Sequence, residues 1–299
     1  MRVAGDYSYG KSNLEDMKRS LPLFAMIMIA TVGVVWLAFN NVPAGLIYTM
    51  LLVFFVVVYI LAMIFTKSTD ASYEIPISAS LFDSVFLFIL GWSIPIVFFV
   101  TGVLFTPKYI VPLAFSGASS ISTQSFAVLS ALADPFWRVF IVVISAGTIE
   151  EISIGFSAVL GGILVGYLIR KLINLELSKS GNKWFDFVIA MIFTTIFFAI
   201  LHTLNSSYSV LSMFVIAMVF RLLMNFSIYL LNLGLAFTIA FHQSNNAIAL
   251  GLNNVLTGML ANPFGWIIIF LFMLMIFYFV TNLKLLVPSI KRLIKEVGL

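Results

Sequence analysis

Apolar positions along this 299-residue chain come in long unbroken runs. They show neither the alternation of a half-buried strand nor the one-sided stripe of a soluble helix. Eight runs reach the length that crosses a bilayer, about 20 residues at about 1.5 Å each. They lie near 21–39, 44–66, 81–105, 136–169, 185–203, 208–225, 227–250 and 264–283. The pattern predicts an all-α polytopic membrane protein of about eight transmembrane helices. The fourth run is too long for one straight crossing, so it is either strongly tilted or broken near its two glutamates. The sixth and seventh are nearly continuous, which implies a tight turn around Arg221 to Ser227. A polar leader, 1–20, precedes the first run, and its Ser12-Asn13-Leu14-Glu15 has capping-box spacing for a short surface helix. Nothing at the start reads as a cleaved signal peptide.

Composition narrows the class. Hydrophobic residues make up 62% and charged residues 9%, far below the roughly 25% charge of soluble domains, so no sizeable soluble domain is expected. The net charge of +4 reflects basic residues between spans, a topology signal that excludes a nucleic-acid binder. With the N-terminus inside, 14 of the 16 basic residues fall on the cytoplasmic side, Arg170, Lys171, Lys179, Lys183 and Arg221 among them. Both termini are then cytoplasmic, and the expected location is a prokaryotic cell membrane, with the lipid bilayer as the first partner. Cysteine is absent, which excludes thiol chemistry and disulfides. The segments divide into the leader 1–20, a membrane region 21–135 ending in a long outer loop, a core 136–255, and a last span with a basic tail, 256–299. The outer loop, Thr106 to Pro135, has a Ser-rich middle at Ser116 to Ser120 and is either a re-entrant cover or an exposed loop. The inner connection 171–184 reads as a solvated turn.

Chemistry concentrates in the core. Glu150 and Glu151 sit side by side in the fourth run, and an ionisable residue inside a membrane span is a functional-site hypothesis by default. On helical spacing Glu150 shares a face with Ser153, Ile154 and Ser157, while Glu151 lies about 100° round. One glutamate of the pair is therefore expected to face a pocket and the other to bond backbone, a hydroxyl or a cation. Ala158, Gly162 and Gly166 form a row of small residues suited to a close helix–helix contact. The only two histidines also lie in apolar runs. His202 follows Phe198 by four residues, with Thr195 on the same face. His242 precedes Asn246 by four, with Thr238 one turn earlier. Buried polar groups in lipid must find each other or water, so these pieces are expected to share one pocket. Two histidines and a glutamate could also hold zinc, although no His-Glu-x-x-His helix is present. Asp83 is expected at the interface, and Asn253 and Asn254 in a cap or outer loop.

Glu150-Glu151, Phe198-x-x-x-His202 and His242-x-x-x-Asn246, in that order, resemble the three motifs of the CAAX prenyl protease and bacteriocin-processing family. The resemblance covers roughly residues 130–255. It implies an intramembrane fold of about eight helices and a glutamate peptidase that needs neither metal nor other cofactor. Glu150 would be the base that activates water, His202 would orient that water, and His242 with Asn246 would form the oxyanion hole. Glu151 would belong to the catalytic set. The substrate would be a membrane-bound peptide, prenylated in the CAAX branch of the family. The chain departs from the family at one place: the motif arginine that helps hold the acidic pair is here Gly155. Arg138 and Arg221 are candidates to replace it.

Two other functions compete. The departure at Gly155 fits a non-catalytic relative, a scaffold or an immunity protein. Intramembrane Glu and His can also relay protons in a transporter, but no repeat relates the halves of the chain, as it usually does in secondary transporters.

Overall fold

The computed structural model describes residues 53, 81–101, 134–175, 177–203, 210–229, 231 and 233–297. Among them all regular structure is helical, without strands. The expected leader, the first two spans (apart from Val53) and the outer loop up to residue 133 lie outside the described residues. Helix α1 spans Leu81–Thr101. Helix α2 is a continuous rod of five segments: Pro135–Val139, Phe140–Ala146, Gly147–Glu150, Glu151–Ala158 and Val159–Leu172. Then come α3 (Lys179–Thr203), α4 (Val210–Tyr229), α5 (Gly234–Leu250), α6 (Leu252–Leu260), α7 (Pro263–Thr281) and α8 (Leu286–Val297). Helices α1 and α7 contain stretches long and apolar enough to cross a membrane; α3 and α4 contain shorter apolar stretches.

The overlong fourth run is not broken. Its second and fourth segments are π-helical, the second ending at Ala146 and the fourth beginning at Glu151 itself, so the hydrogen-bond register loosens near the glutamates while the backbone stays helical. Such wide turns recur at functional sites. The rod starts at Asp134, whose carboxylate accepts from the Phe136 amide at 2.8 Å, with Pro135 in the first turn; both are favoured there.

The turn expected at Arg221 to Ser227 is misplaced. Helix α4 runs through these residues to Tyr229, and α5 starts at Gly234. The Leu231 amide bonds Phe226 O and the Leu233 amide bonds Ser227 O, each at 3.0 Å, which satisfies the helix-end carbonyls. Gly234, at φ 71°, supplies the left-handed conformation that starts α5. Arg221 is therefore no loop residue: it is fully buried, about midway along α4. Removing it from the count leaves thirteen of fifteen basic residues in segments expected on the inner side. The inner connection is also shorter than expected, since Lys179 already opens α3 and Ser178 Oγ accepts from the Gly181 amide at 3.2 Å.

Helix α5 is central. It packs along α1, where Gly91 lies against the Phe237 carbonyl and the Ala240 methyl. Its three consecutive polar residues His242, Gln243 and Ser244 are all buried. Gly251, at φ 91°, ends α5 and turns the chain into α6, which packs against the start of α2 near Pro135 and Val139. Phe136, Val139, Val143, Ala247 and Met259 form the apolar core between these elements. Asn253 and Asn254 lie exposed on α6, and Asn254 donates to Leu250 O at 2.9 Å, closing the end of α5. Asp83 is buried and paired with Arg292 of α8.

The small residues of α2 pack as expected. A side chain at Gly162 would meet Ala190 Cα at 2.6 Å, and one at Gly166 would meet Asp186 Cα at 2.7 Å. Arg170 extends this contact, bonding Asp186 through Nε at 3.2 Å and Nη2 at 2.9 Å. Overpacking a core contact costs typically about 1–3 kcal/mol. Gly166→Leu, driven into backbone, is expected at or above the upper end, seen as a lower thermal midpoint of purified protein in detergent. An unchanged midpoint would show that α2 and α3 do not meet here.

Candidate active site

Four helices converge on the imidazole of His242. From α2, Glu151 Oε1 lies 2.9 Å from its Nδ1, and Glu150 Oε2 lies 3.5 Å from its Nε2. The rings of Phe220 from α4 and Phe198 from α3 stand edge-on to it, with centroids at 4.9 and 6.5 Å. Ile154, Phe198, Ala199 and Ala217 build the apolar wall beside them.

The two glutamates differ sharply. Glu151 is wholly buried, and Arg221 reaches it from α4 with two parallel bonds, Nη1 to Oε1 at 3.0 Å and Nη2 to Oε2 at 2.9 Å. The Glu150 side chain keeps 28% of its surface exposed. Glu151 thus bonds a cation, as expected of one member of the pair. Both carboxylates nevertheless reach the same histidine, which simple helical spacing does not anticipate.

Arg221 is itself held in place. Its Nε donates to Asn225 Oδ1 at 3.0 Å, and Asn225 Nδ2 donates to Thr194 Oγ1 of α3 at 3.0 Å. Its guanidinium also stacks over Phe198 at 5.6 Å. The fork geometry of arginine suits this buried carboxylate. The tautomer of His242 follows from the pairing: a carboxylate ion-paired with arginine only accepts hydrogen bonds, so Nδ1 carries the proton and Nε2 faces Glu150.

A second set of polar bonds clamps α5 to α2. Gln243 Nε2 donates to Thr148 Oγ1 at 2.9 Å and Ile144 O at 3.3 Å, and its oxygen accepts from the Trp92 indole at 3.2 Å. Ser244 Oγ donates to Trp92 O at 2.8 Å. Asn246 Nδ2 donates to Val142 O at 3.0 Å, in the first π-helical segment.

Of the residues singled out from sequence, Glu150, Glu151 and His242 are in direct contact. Asn246 sits one turn further along α5, bonded to backbone. Phe198 lies against His242, and His202 follows one turn later on α3, but its side chain lies outside the described residues. Among the described residues no three His, Asp or Glu side chains have metal-binding geometry. Arg138, the other arginine considered for Glu151, sits in the first segment of α2. The sequence reading named Arg221 as a candidate partner of the acidic pair but placed it in a turn, and it missed Asn225, Thr194 and Gln243. A usable signal existed: Arg221 and Asn225 are spaced i, i+4 inside an apolar run, the same pattern that marked His242 and Asn246.

No family profile, curated protein or solved structure matches the chain.

The His242 tautomer is directly measurable. In 15N-histidine-labelled protein carrying His202→Gln, one imidazole remains, and its Nδ1 is expected to show the protonated-type shift. A non-protonated Nδ1 would contradict the pairing with Glu151.

Proposed function

We propose that this chain is an intramembrane, metal-independent glutamate endopeptidase acting on a membrane-bound peptide, prenylated or not. The observation that carries the reading is the division of labour around His242. One glutamate is buried and neutralised by arginine. The other is partly exposed and faces the free side of the imidazole. The resemblance to the CAAX prenyl protease and bacteriocin-processing family, through Glu150-Glu151, Phe198-x-x-x-His202 and His242-x-x-x-Asn246, points the same way.

In this reading Glu150 takes a proton from water as the water oxygen bonds to the scissile carbonyl carbon. The carbonyl electron pair moves onto its oxygen, where Asn246, and His242 once its Nε2 also carries a proton, stabilise the charge. The C–N bond then breaks as the proton passes from Glu150 to the leaving amide nitrogen. His202 orients the water. The bond from Asn246 to Val142 O fixes this side chain relative to α2.

A multi-pass protein with about eight spans and both termini cytoplasmic is part of the same proposal, in a prokaryotic cell membrane. It is supported by the distribution of polarity. Arg221, Glu151, Asp186 and His242 are inside, whereas Phe264, Ile267, Phe270, Leu271 and Phe277 of α7 are exposed. That is the arrangement a hydrocarbon solvent selects.

A non-catalytic scaffold is the second reading. It is favoured by how much of the polar set is spent on packing: Asn246 on Val142 O and Gln243 on Thr148.

The test is hydrolysis of a quenched farnesylated CAAX peptide, beside an unlipidated hydrophobic peptide, by purified protein with and without chelator. Glu150→Gln and His202→Ala are each expected to lower kcat by about 10²-fold or more with little change in thermal midpoint, and chelator to have no effect. No cleavage of either peptide by folded wild type would favour the scaffold. Loss on chelation would require a metal instead.

A further inference from the structure

The buried cation that holds Glu151 comes from a different helix, through a gap left by a glycine. A Cβ at Gly155 would lie 3.1 Å from Arg221 Nη2, 3.1 Å from Glu151 Oε2 and 3.3 Å from Ile228 Cδ1. Gly155 sits one turn after Glu151 on α2, so an ordinary side chain there would press on the two atoms that form the ion pair. Any side chain rooted at 155 would thus begin in contact with the guanidinium.

We propose that Arg221 is the positioning residue of the site and that Gly155 exists to admit it. The pair is a relocated cation: the charge that neutralises Glu151 is supplied from α4 across the vacancy at 155 instead of from α2 itself. Its effect reaches the reacting groups through Glu151. With Arg221 in place, Glu151 accepts the Nδ1 proton of His242, and Nε2 is held toward Glu150. Asn225 and Thr194 keep the guanidinium planar to the carboxylate from the far side. Without the cation, Glu151 has reason to take a proton itself, and a protonated carboxyl no longer dictates the imidazole tautomer.

This rests on the peptidase reading only for its kinetic consequence; the tautomer is read without activity. The experiment compares wild type, Arg221→Gln, Gly155→Arg and the double variant Gly155→Arg/Arg221→Gln. It measures thermal midpoint and, in the His202→Gln background, the 15N shifts of His242 in lipid nanodiscs. Where the peptide is cleaved, kcat is followed against pH in the His202 background of the wild type. Each single change is expected to be damaging, one by removing the cation and the other by forcing two guanidiniums into one space. The double variant is expected to recover: a midpoint above both singles, Nδ1 protonated, and kcat at least about tenfold above Arg221→Gln. Arg221→Gln, where folded, should lose the single Nδ1–H form and shift its pH profile.

Should Arg221→Gln fail to fold, recovery of a folded, Nδ1-protonated double variant still carries the proposal. A double variant no better than the worse single would overturn it. So would a folded Arg221→Gln with wild-type tautomer and pH profile. Recovery of the tautomer in a protein that cleaves nothing would sustain the positioning role and count against the peptidase.

Discussion

The ion pair between Glu151 and Arg221 is the constraint on which the site depends. Both side chains are fully buried, and each ion carries a desolvation penalty of several kcal/mol. Attraction at low dielectric offsets that penalty only when every lone pair and proton is used. Here Glu151 receives three donors, two from Arg221 and one from His242, while Arg221 also reaches Asn225. Removing either ion would strand the other, at a cost of about 3–5 kcal/mol. The pair therefore fixes the relative positions of α2, α4 and α5, and through Thr194 that of α3 as well.

Neutralising Glu151 also separates the chemistry of the two adjacent glutamates. Identical in sequence terms, they end in opposite environments because consecutive residues on a helix point about 100° apart. One is locked into packing, and the other keeps contact with solvent-accessible space. The first π-helical segment, Phe140–Ala146, is where α5 bonds to α2 carbonyls, at Val142 and Ile144, and the second begins at Glu151 itself. The same stretch thus supplies the reactive-type carboxylate and the anchor for the helix that carries its histidine.

Much of this could be read from the chain, and the misses have a physical pattern. Glu150, Glu151 and His242 stood out because polar groups in apolar runs must pair. The close contact at Gly162 and Gly166 was legible because small residues at four-residue spacing allow backbones to approach. Arg221 obeys the same pairing rule and was a candidate partner of the acidic pair, yet it was also read as a turn marker, because the apolar stretch from 208 to 250 had to reverse somewhere and a charged residue is the obvious place. Helix α4 instead continues to Tyr229 and α5 starts at Gly234, and a single glycine in an apolar run is ambiguous. The pairing of Asp83 was not legible for a related reason: its partner Arg292 is 209 residues away, and no local pattern announces so distant a pair.

Gly155 shows how far a motif can be from a geometry. Read along α2 alone, the glycine is a missing cation and a reason to doubt the acidic pair. Read in space, it is an opening whose walls are Arg221, Glu151 and Ile228. The physical requirement is a guanidinium in a fixed plane beside one carboxylate, and that requirement does not specify which helix the guanidinium hangs from. A neighbouring helix can meet it provided two conditions hold together: a long basic side chain at the right depth, and no Cβ in its way. Arg221, about midway along α4, and Gly155, one turn from Glu151, satisfy both, so the loss at one position is intelligible only alongside the charge at the other.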